Sequence, residues 1–225
     1  MSLSIKINKI ICLLFLVTLI LFTASCSAVE QSIKSEDKQV AITIDMSFGD
    51  DDYTEEILSV LDKLNVKASF FIVGMLAEKK PILIKRLASY GMDIENHSYS
   101  HKNYTLLNDE EIVADANKTN ELILNQGIET NKYIRPPFNV VDDRIKNALA
   151  NAGYTVVLGL DSRDWERNGF SSIVSNILDS VQPGDILMFQ SNVMDTPAAI
   201  EKIITTLRER GYKIVPLNEL IAGRE

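Results

Sequence analysis

The chain has little of several residue types, and each scarcity narrows its chemistry. Of 225 residues only two are cysteine. Cys12 lies inside an apolar run near the N-terminus and Cys26 just beyond it, so no disulfide framework supports the remainder, and the fold must rest on its core. Histidine is as rare, with two residues, and both fall in "IENHSYSHKN" as His97 and His101. Tryptophan occurs once, as Trp165. Basic residues are outnumbered, 23 Lys and Arg against 31 Asp and Glu, for a formal net charge of −8. That balance argues against nucleic acid as a partner. No glycine-rich loop follows the first predicted strand, which counts against a dinucleotide site.

The first 25 residues read as a secretory signal. Lys6 and Lys9 precede an apolar run from Ile10 to Phe22, and small residues Thr23-Ala24-Ser25 lead to Cys26. The run is shorter than the roughly 20 residues a membrane span requires. A Cys after small residues resembles a bacterial lipoprotein signal, which makes Cys26 the lipidation site and the membrane a partner through a lipid anchor. An ordinary signal peptide and an uncleaved anchor are the alternatives, and all three place the domain outside the cytoplasm. Residues 26–38 read as a polar tether, and 39–225 as one domain with a substantial core.

From residue 39 two patterns alternate. Short strand-like runs, the β-branched "QVAITID" followed by "ASFFIVG", "MDIEN", "KYIRPP", "YTVVLGLD", "GDILMFQ" and "YKIVPL", predict about seven strands. Amphipathic stretches between them predict helices, including 53–65, one around "EKKPILIKRLASYG", and 108–127. Such alternation implies parallel strands with helices outside, either an open doubly wound sheet or a (β/α) barrel. In both, chemistry belongs at the C-terminal ends of strands.

Polar residues recur at those ends: Asp45, the His97/His101 pair, Arg135, Asp161 with Asp164 and Trp165, and Gln190. Two imidazoles four residues apart can grip one divalent ion, and neutral imidazole suits zinc and related metals; they can equally be surface histidines in a polar loop. Asp45 reads as a third ligand, a general base, or a helix cap. Arg135, rigid before two prolines, suits holding a carboxylate or making a structural ion pair. Trp165 is a site wall or a core residue.

Taken together, "NVKASFFIVG", "HSYSH", "RPPF", "DSRDW" and "RERGYKIVPLNEL" resemble the polysaccharide deacetylases of the NodB-homology type, carbohydrate esterase family 4, over residues 38–222. The resemblance implies a distorted (β/α)7 barrel and metal-dependent removal of N-acetyl groups from cell-wall or related polysaccharide. It makes Asp45 the base, His97 and His101 metal ligands, and Arg135 the residue that orients Asp45. The main-chain N–H near Phe138 helps hold the oxyanion, and Asp161 or Asp164 shapes the far wall with Trp165. Asp164 counts with Asp45 and Arg135 as catalytic; Phe138, Trp165 and Gln190 contact substrate. A divalent ion, zinc for choice, is the implied cofactor, and a monomer is expected.

Two positions depart from the pattern. The first motif normally has two adjacent aspartates, and here the pair is Asp45-Met46. A thioether does not replace a carboxylate on such an ion. Asp50, from the cluster Asp50-Asp51-Asp52, is the candidate substitute ligand; helix capping is the competing reading of that cluster. The last motif normally ends in a His that acts as general acid, and here it ends in Gln190, which cannot transfer a proton. Loss of such a group costs about 10²–10⁴-fold in rate. The alternative function is therefore a catalytically degenerate glycan-binding lipoprotein of the same fold.

Overall fold

The structure is a computed structural model that describes residues 29–30, 37–46, 48–49 and 51–223. The expectations made on the signal segment, on Cys26 and on Asp50 fall outside those residues. The strands are β1 (Val29–Glu30), β2 (Gln39–Met46), β3 (Ser69–Ile72), β4 (Asp93–Asn96), β5 (Tyr133–Ile134), β6 (Thr155–Val157), β7 (Leu160–Asp161), β8 (Ile186–Gln190) and β9 (Lys213–Ile214). The helices are α1 (Thr54–Lys63), α2 (Gly74–Lys79), α3 (Pro81–Ser89), α4 (Asp109–Asn125), α5 (Asp143–Asn151), α6 (Phe170–Leu178), α7 (Thr196–Glu209) and α8 (Leu217–Ala222).

All strand pairs are parallel, in the order β1-β6-β5-β4-β3-β2-β8-β7, with β9 pairing the start of β2. The result is an α/β fold with a curled, half-barrel parallel sheet. The expected strand "YTVVLGLD" is two strands here. Its first half, β6, pairs with β5 and its second half, β7, with β8, so the run 155–161 bridges the two flanks of the curl. The crossing is made at Gly159, where a Cβ would sit 2.7 Å from the carbonyl oxygen of Ile186 and 3.1 Å from Met188 Cβ. The expected helix through "EKKPILIKRLASYG" is likewise two, α2 and α3. Pro81 disfavours helical backbone at the residue before it, and Lys80 has φ −125°. Val29 and Glu30, read as tether, pair with Val156 and Val157.

The strand period of two sorts each side chain to a face. In β2, Val40, Ile42, Ile44 and Met46 join the layer between sheet and helices, with Ile57 and Leu61 of α1 and Ile200, Ile203 and Leu207 of α7. Ala41 and Asp45 face the inside of the curl. There a second apolar cluster, with Phe71, Val157 and Ile186, is closed below by Leu217 and Leu220 of α8. The same alternation puts Met188 and Gln190 inside and Leu187 and Phe189 outside. Among the described residues no helix is long and apolar enough to cross a membrane.

Candidate active site

Strand register brings the chemistry together. Asp45 is opposite Phe71 on one side and Gln190 on the other. His97 follows the end of β4 and Arg135 the end of β5, so all four polar residues meet at the C-terminal rim. A cavity of about 410 Å³ opens there, lined by Asp45, His97, His101, Phe138, Trp165 and Gln190 among others.

Arg135 is fully buried. Its Nη1 donates to Asp45 Oδ1 at 2.6 Å, its Nε to the Val157 carbonyl at 3.2 Å, and its guanidinium lies 4.2 Å from the centre of the Phe71 ring. Oδ1 is thereby committed, and Oδ2 is the oxygen left for the cavity. Gln190 Nε2 approaches it to 3.4 Å and His97 Nε2 to 4.0 Å.

His97 Nδ1–H donates to the Arg135 carbonyl at 2.8 Å. That bond fixes the tautomer and leaves the Nε2 lone pair without a proton, the usual preparation of a metal-binding imidazole. The ring of His101 is 5.0 Å from that of His97, and its other side meets the Phe138 ring at 4.9 Å. Burial lowers the pKa of His97; burial and then the neighbouring His97 lower that of His101 to about 4. Both rings are neutral donors at neutral pH.

The loop that carries them is held from two sides. Its carbonyls at Ser98 and Tyr99 accept from the N–H groups of Gly74 and Met75. Its N–H groups at Tyr99 and Ser100 donate to Asp115 on α4, at 2.7 and 3.2 Å, and Tyr104 donates its hydroxyl to the same carboxylate. A side chain at Gly74 would meet Tyr99 Cδ2 at 2.7 Å, so the close approach requires glycine there. His101 itself has φ +55° and Ser98 +66°. Strained non-glycine backbone also recurs at Phe138, Asn139, Arg163 and Arg167, in loops around the same rim, where such strain concentrates in functional sites.

The donor types suit a divalent ion: two neutral imidazoles, one with a fixed tautomer, facing a carboxylate across one cavity. Among the described residues no group of three His, Cys, Asp or Glu side chains is close enough to enclose one. Met46 is in the core on the opposite face from Asp45, because adjacent strand residues point oppositely. Asp52 accepts from the N–H and hydroxyl of Thr54 and pairs with Lys80, and Asp51 pairs with Arg167. The residue types present therefore fit a divalent ion, and His97 and His101 are the side chains that would hold it.

The remaining expected residues are dispersed around this centre. Trp165 is 56 % exposed and Phe138 62 %; both form the mouth. The indole N–H of Trp165 donates to Asp161 at 3.1 Å, and the cavity wall carries Asp161 rather than Asp164. Asp164 is buried behind Gln190, accepting its backbone N–H at 2.8 Å and the Thr196 hydroxyl at 2.7 Å. Burial pushes its pKa up to about 6. Asn139, Met188 and Asn192 also line the cavity and were not expected. Met188 was discoverable, since it lies two residues before Gln190 on one strand face. Glu95 was also missed: buried under the rim, it accepts from Thr130, Asn131 and the Tyr133 N–H, and so anchors the approach to Arg135.

These features coincide with a known family. The polysaccharide deacetylase family model matches residues 32–157, more than half of the chain. A peptidoglycan-N-acetylglucosamine deacetylase of Bacillus cereus is 33% identical over 184 residues, covering 80% of this chain and 66% of that protein. Among solved structures, the wild-type carbohydrate esterase family 4 pseudoenzyme BA3943 of Bacillus anthracis superposes with a TM-score of 0.81 at 27% identity, covering 86% of this chain and 69% of that one. A BA3943 mutant with restored enzymatic activity gives 0.81 at 28%, covering 86% and 71%. The chain belongs to the polysaccharide deacetylase family, the NodB-homology group of carbohydrate esterase family 4.

Proposed function

We propose that this protein is a divalent-metal-dependent deacetylase of N-acetylated cell-wall glycan whose turnover is held low by the absence of a proton donor at Gln190. The observation that carries the reading is the convergence of Asp45, held from behind by Arg135, with His97 and His101 on one cavity with an aromatic mouth. His97 and His101 would hold the ion, zinc being the expected one. When bound, such an ion polarises the acetamide carbonyl and acidifies water.

The chain's own residues do the rest. Asp45 Oδ2 faces the cavity and takes the proton of the attacking water. Arg135 locks Oδ1 and so keeps the other oxygen aimed inward. Phe138 and Trp165 offer flat apolar faces on which a sugar ring stacks. The amine that departs needs a proton, and the side chain at that position is a carboxamide. Gln190 Nε2 can donate a hydrogen bond to the leaving nitrogen but cannot transfer its proton.

A second reading, a glycan-binding protein without turnover, is supported by Met46 and Gln190 and by the likeness to BA3943. Either form acts outside the cytoplasm, tethered to the membrane through Cys26, as a monomer. Acetate release from N-acetylated chitotetraose or peptidoglycan, with and without added zinc, tests the proposal. Zinc-dependent release that disappears in Asp45→Asn supports it. Tight glycan binding with release no faster than in Asp45→Asn selects the second reading.

A further inference from the structure

Asparagine is followed directly by glycine once in the chain, at Asn168–Gly169. The pair closes the loop that carries Trp165 and leads into α6. Asn168 is exposed and belongs to no helix or strand. Gly169 has φ +86° and ψ 167°, a conformation essentially reserved for glycine, so the backbone demands this residue here. A Cβ built on it would meet nothing within 4 Å. Its carbonyl accepts from the N–H groups of Ser172 and Ile173, which ties it to the first turn of α6. Its own N–H has no hydrogen-bond partner among the described residues.

That setting suits an intramolecular reaction. A bond between the Gly169 nitrogen and Asn168 Cγ closes a five-membered ring, and linkage through one short stretch of chain replaces a bimolecular encounter. Two common obstacles are missing here, a side chain on the following residue and a hydrogen bond holding its N–H. The Gly169 nitrogen gives its proton to hydroxide and attacks Asn168 Cγ. The Cγ–Nδ2 bond breaks, and ammonia leaves with a proton taken from water. Water then opens the cyclic imide at either carbonyl. Opening at Cγ gives aspartate; opening at the main-chain carbonyl gives isoaspartate, in which the chain runs through the side chain. One amide and one water enter, one carboxylate and one ammonium leave, and no oxidant or cofactor is needed.

The conversion changes charge where neighbours will register it. Asn168 Nδ2 donates to Glu166 Oε2 at 2.9 Å, and Glu166 Oε1 pairs with Arg163 at 2.7 Å. An acid at residue 168 loses the donor and sets a second carboxylate against Glu166, the residue next to Trp165. We infer that Asn168 is a self-modification site, converted through Gly169 to aspartate and isoaspartate, and that the product adds a negative charge to the loop at the cavity mouth. The inference does not depend on what the cavity binds.

The purified full chain, held in mildly alkaline buffer and followed by peptide mapping with mass spectrometry, tests it. The mass gain of an amide-to-acid conversion is expected at Asn168 before any other asparagine, as two separable peptides of equal mass. The gain should slow in mildly acidic buffer and be lost in Asn168→Gln, whose extra methylene would require a larger ring. Fluorescence of Trp165, the sole tryptophan, should shift as the parent ages, in the direction of fresh Asn168→Asp, and stay constant in Asn168→Gln. A folded chain that keeps its amide at Asn168 while the urea-unfolded chain loses it overturns the inference, because the loop then protects the pair. A gain that appears first at another asparagine, or a single product, overturns it as well. An Asn168→Asp spectrum identical to that of the parent overturns the placement of the added charge at the mouth.

Discussion

Arg135→Met is the perturbation that most sharply probes how the site is built. The guanidinium is fully buried, bonded to Asp45 at 2.6 Å and to the Val157 carbonyl at 3.2 Å. Methionine keeps an aliphatic stem of similar length and removes the charge, together with the guanidinium's contact with Phe71. Asp45, itself nearly buried, is then a carboxylate without its cation, and breaking one side of a buried pair costs about 3–5 kcal/mol. For a domain whose total stability is on the order of 5–15 kcal/mol, that is a large fraction. Asp45→Asn should be costly for the converse reason, a buried guanidinium facing a neutral amide. The double variant leaves no charge unpaired, so the two losses should fall short of additive by about 2 kcal/mol or more. Urea denaturation followed by circular dichroism measures each loss, provided the slope with denaturant stays constant. A loss below about 1 kcal/mol in Arg135→Met, or strict additivity, would refute the claim that Asp45 is held by a desolvated ion pair.

Three further outcomes follow from other parts of the structure. Burial raises the pKa of Asp164 from 3.8 to about 6, so the folded chain holds a proton that the unfolded chain releases. Stability from this group is intact below about pH 3.8 and is lost as pH rises toward 6; Asp164→Asn should therefore flatten the pH dependence of stability across that window and raise the unfolding free energy at pH 7, read from urea titrations, by an amount on the order of 2 kcal/mol. Gly159→Ala drives a methyl into the Ile186 carbonyl and Met188 and should cost about 1–3 kcal/mol by thermal melting; an unchanged melt would mean the β6–β7 crossing is not tight. Asp115→Ala frees two N–H groups of the histidine loop and should weaken zinc binding, measured by calorimetry, about 10-fold or more, whereas unchanged affinity would show that the loop holds itself.

Much of this arrangement was legible in the sequence because it follows from strand periodicity. Alternating apolar runs located the strands, and a strand-end position located Asp45, Arg135, His97 and Gln190 on one rim. Period alone did not reveal that Met46 is packed in the core. That consequence requires knowing which face of β2 looks inward, and Asp45 settles it once its partner Arg135 is found 90 residues away in sequence. The break at Gly159 was missed although a glycine inside a strand pattern marks a bend or a close backbone approach; what the run "YTVVLGLD" does not show is that its two halves pair with different neighbours. Asp164 and Asp161 were indistinguishable by composition, and their separation into a buried support and a cavity wall is set by the turn at Arg163, which has φ +56°. Asn139 left no signal, since its place on the cavity wall depends on a two-residue left-handed turn that no local pattern announces.

Acetate release by Gln190→His, loaded with zinc and set beside the parent on the same N-acetylated glycan, tests the central claim most directly. An imidazole at this strand end can give the departing amine its proton, and the variant should be faster by about 10²-fold or more. A variant no faster than a slow but measurable parent would contradict the claim that proton delivery at residue 190 is what holds this site back.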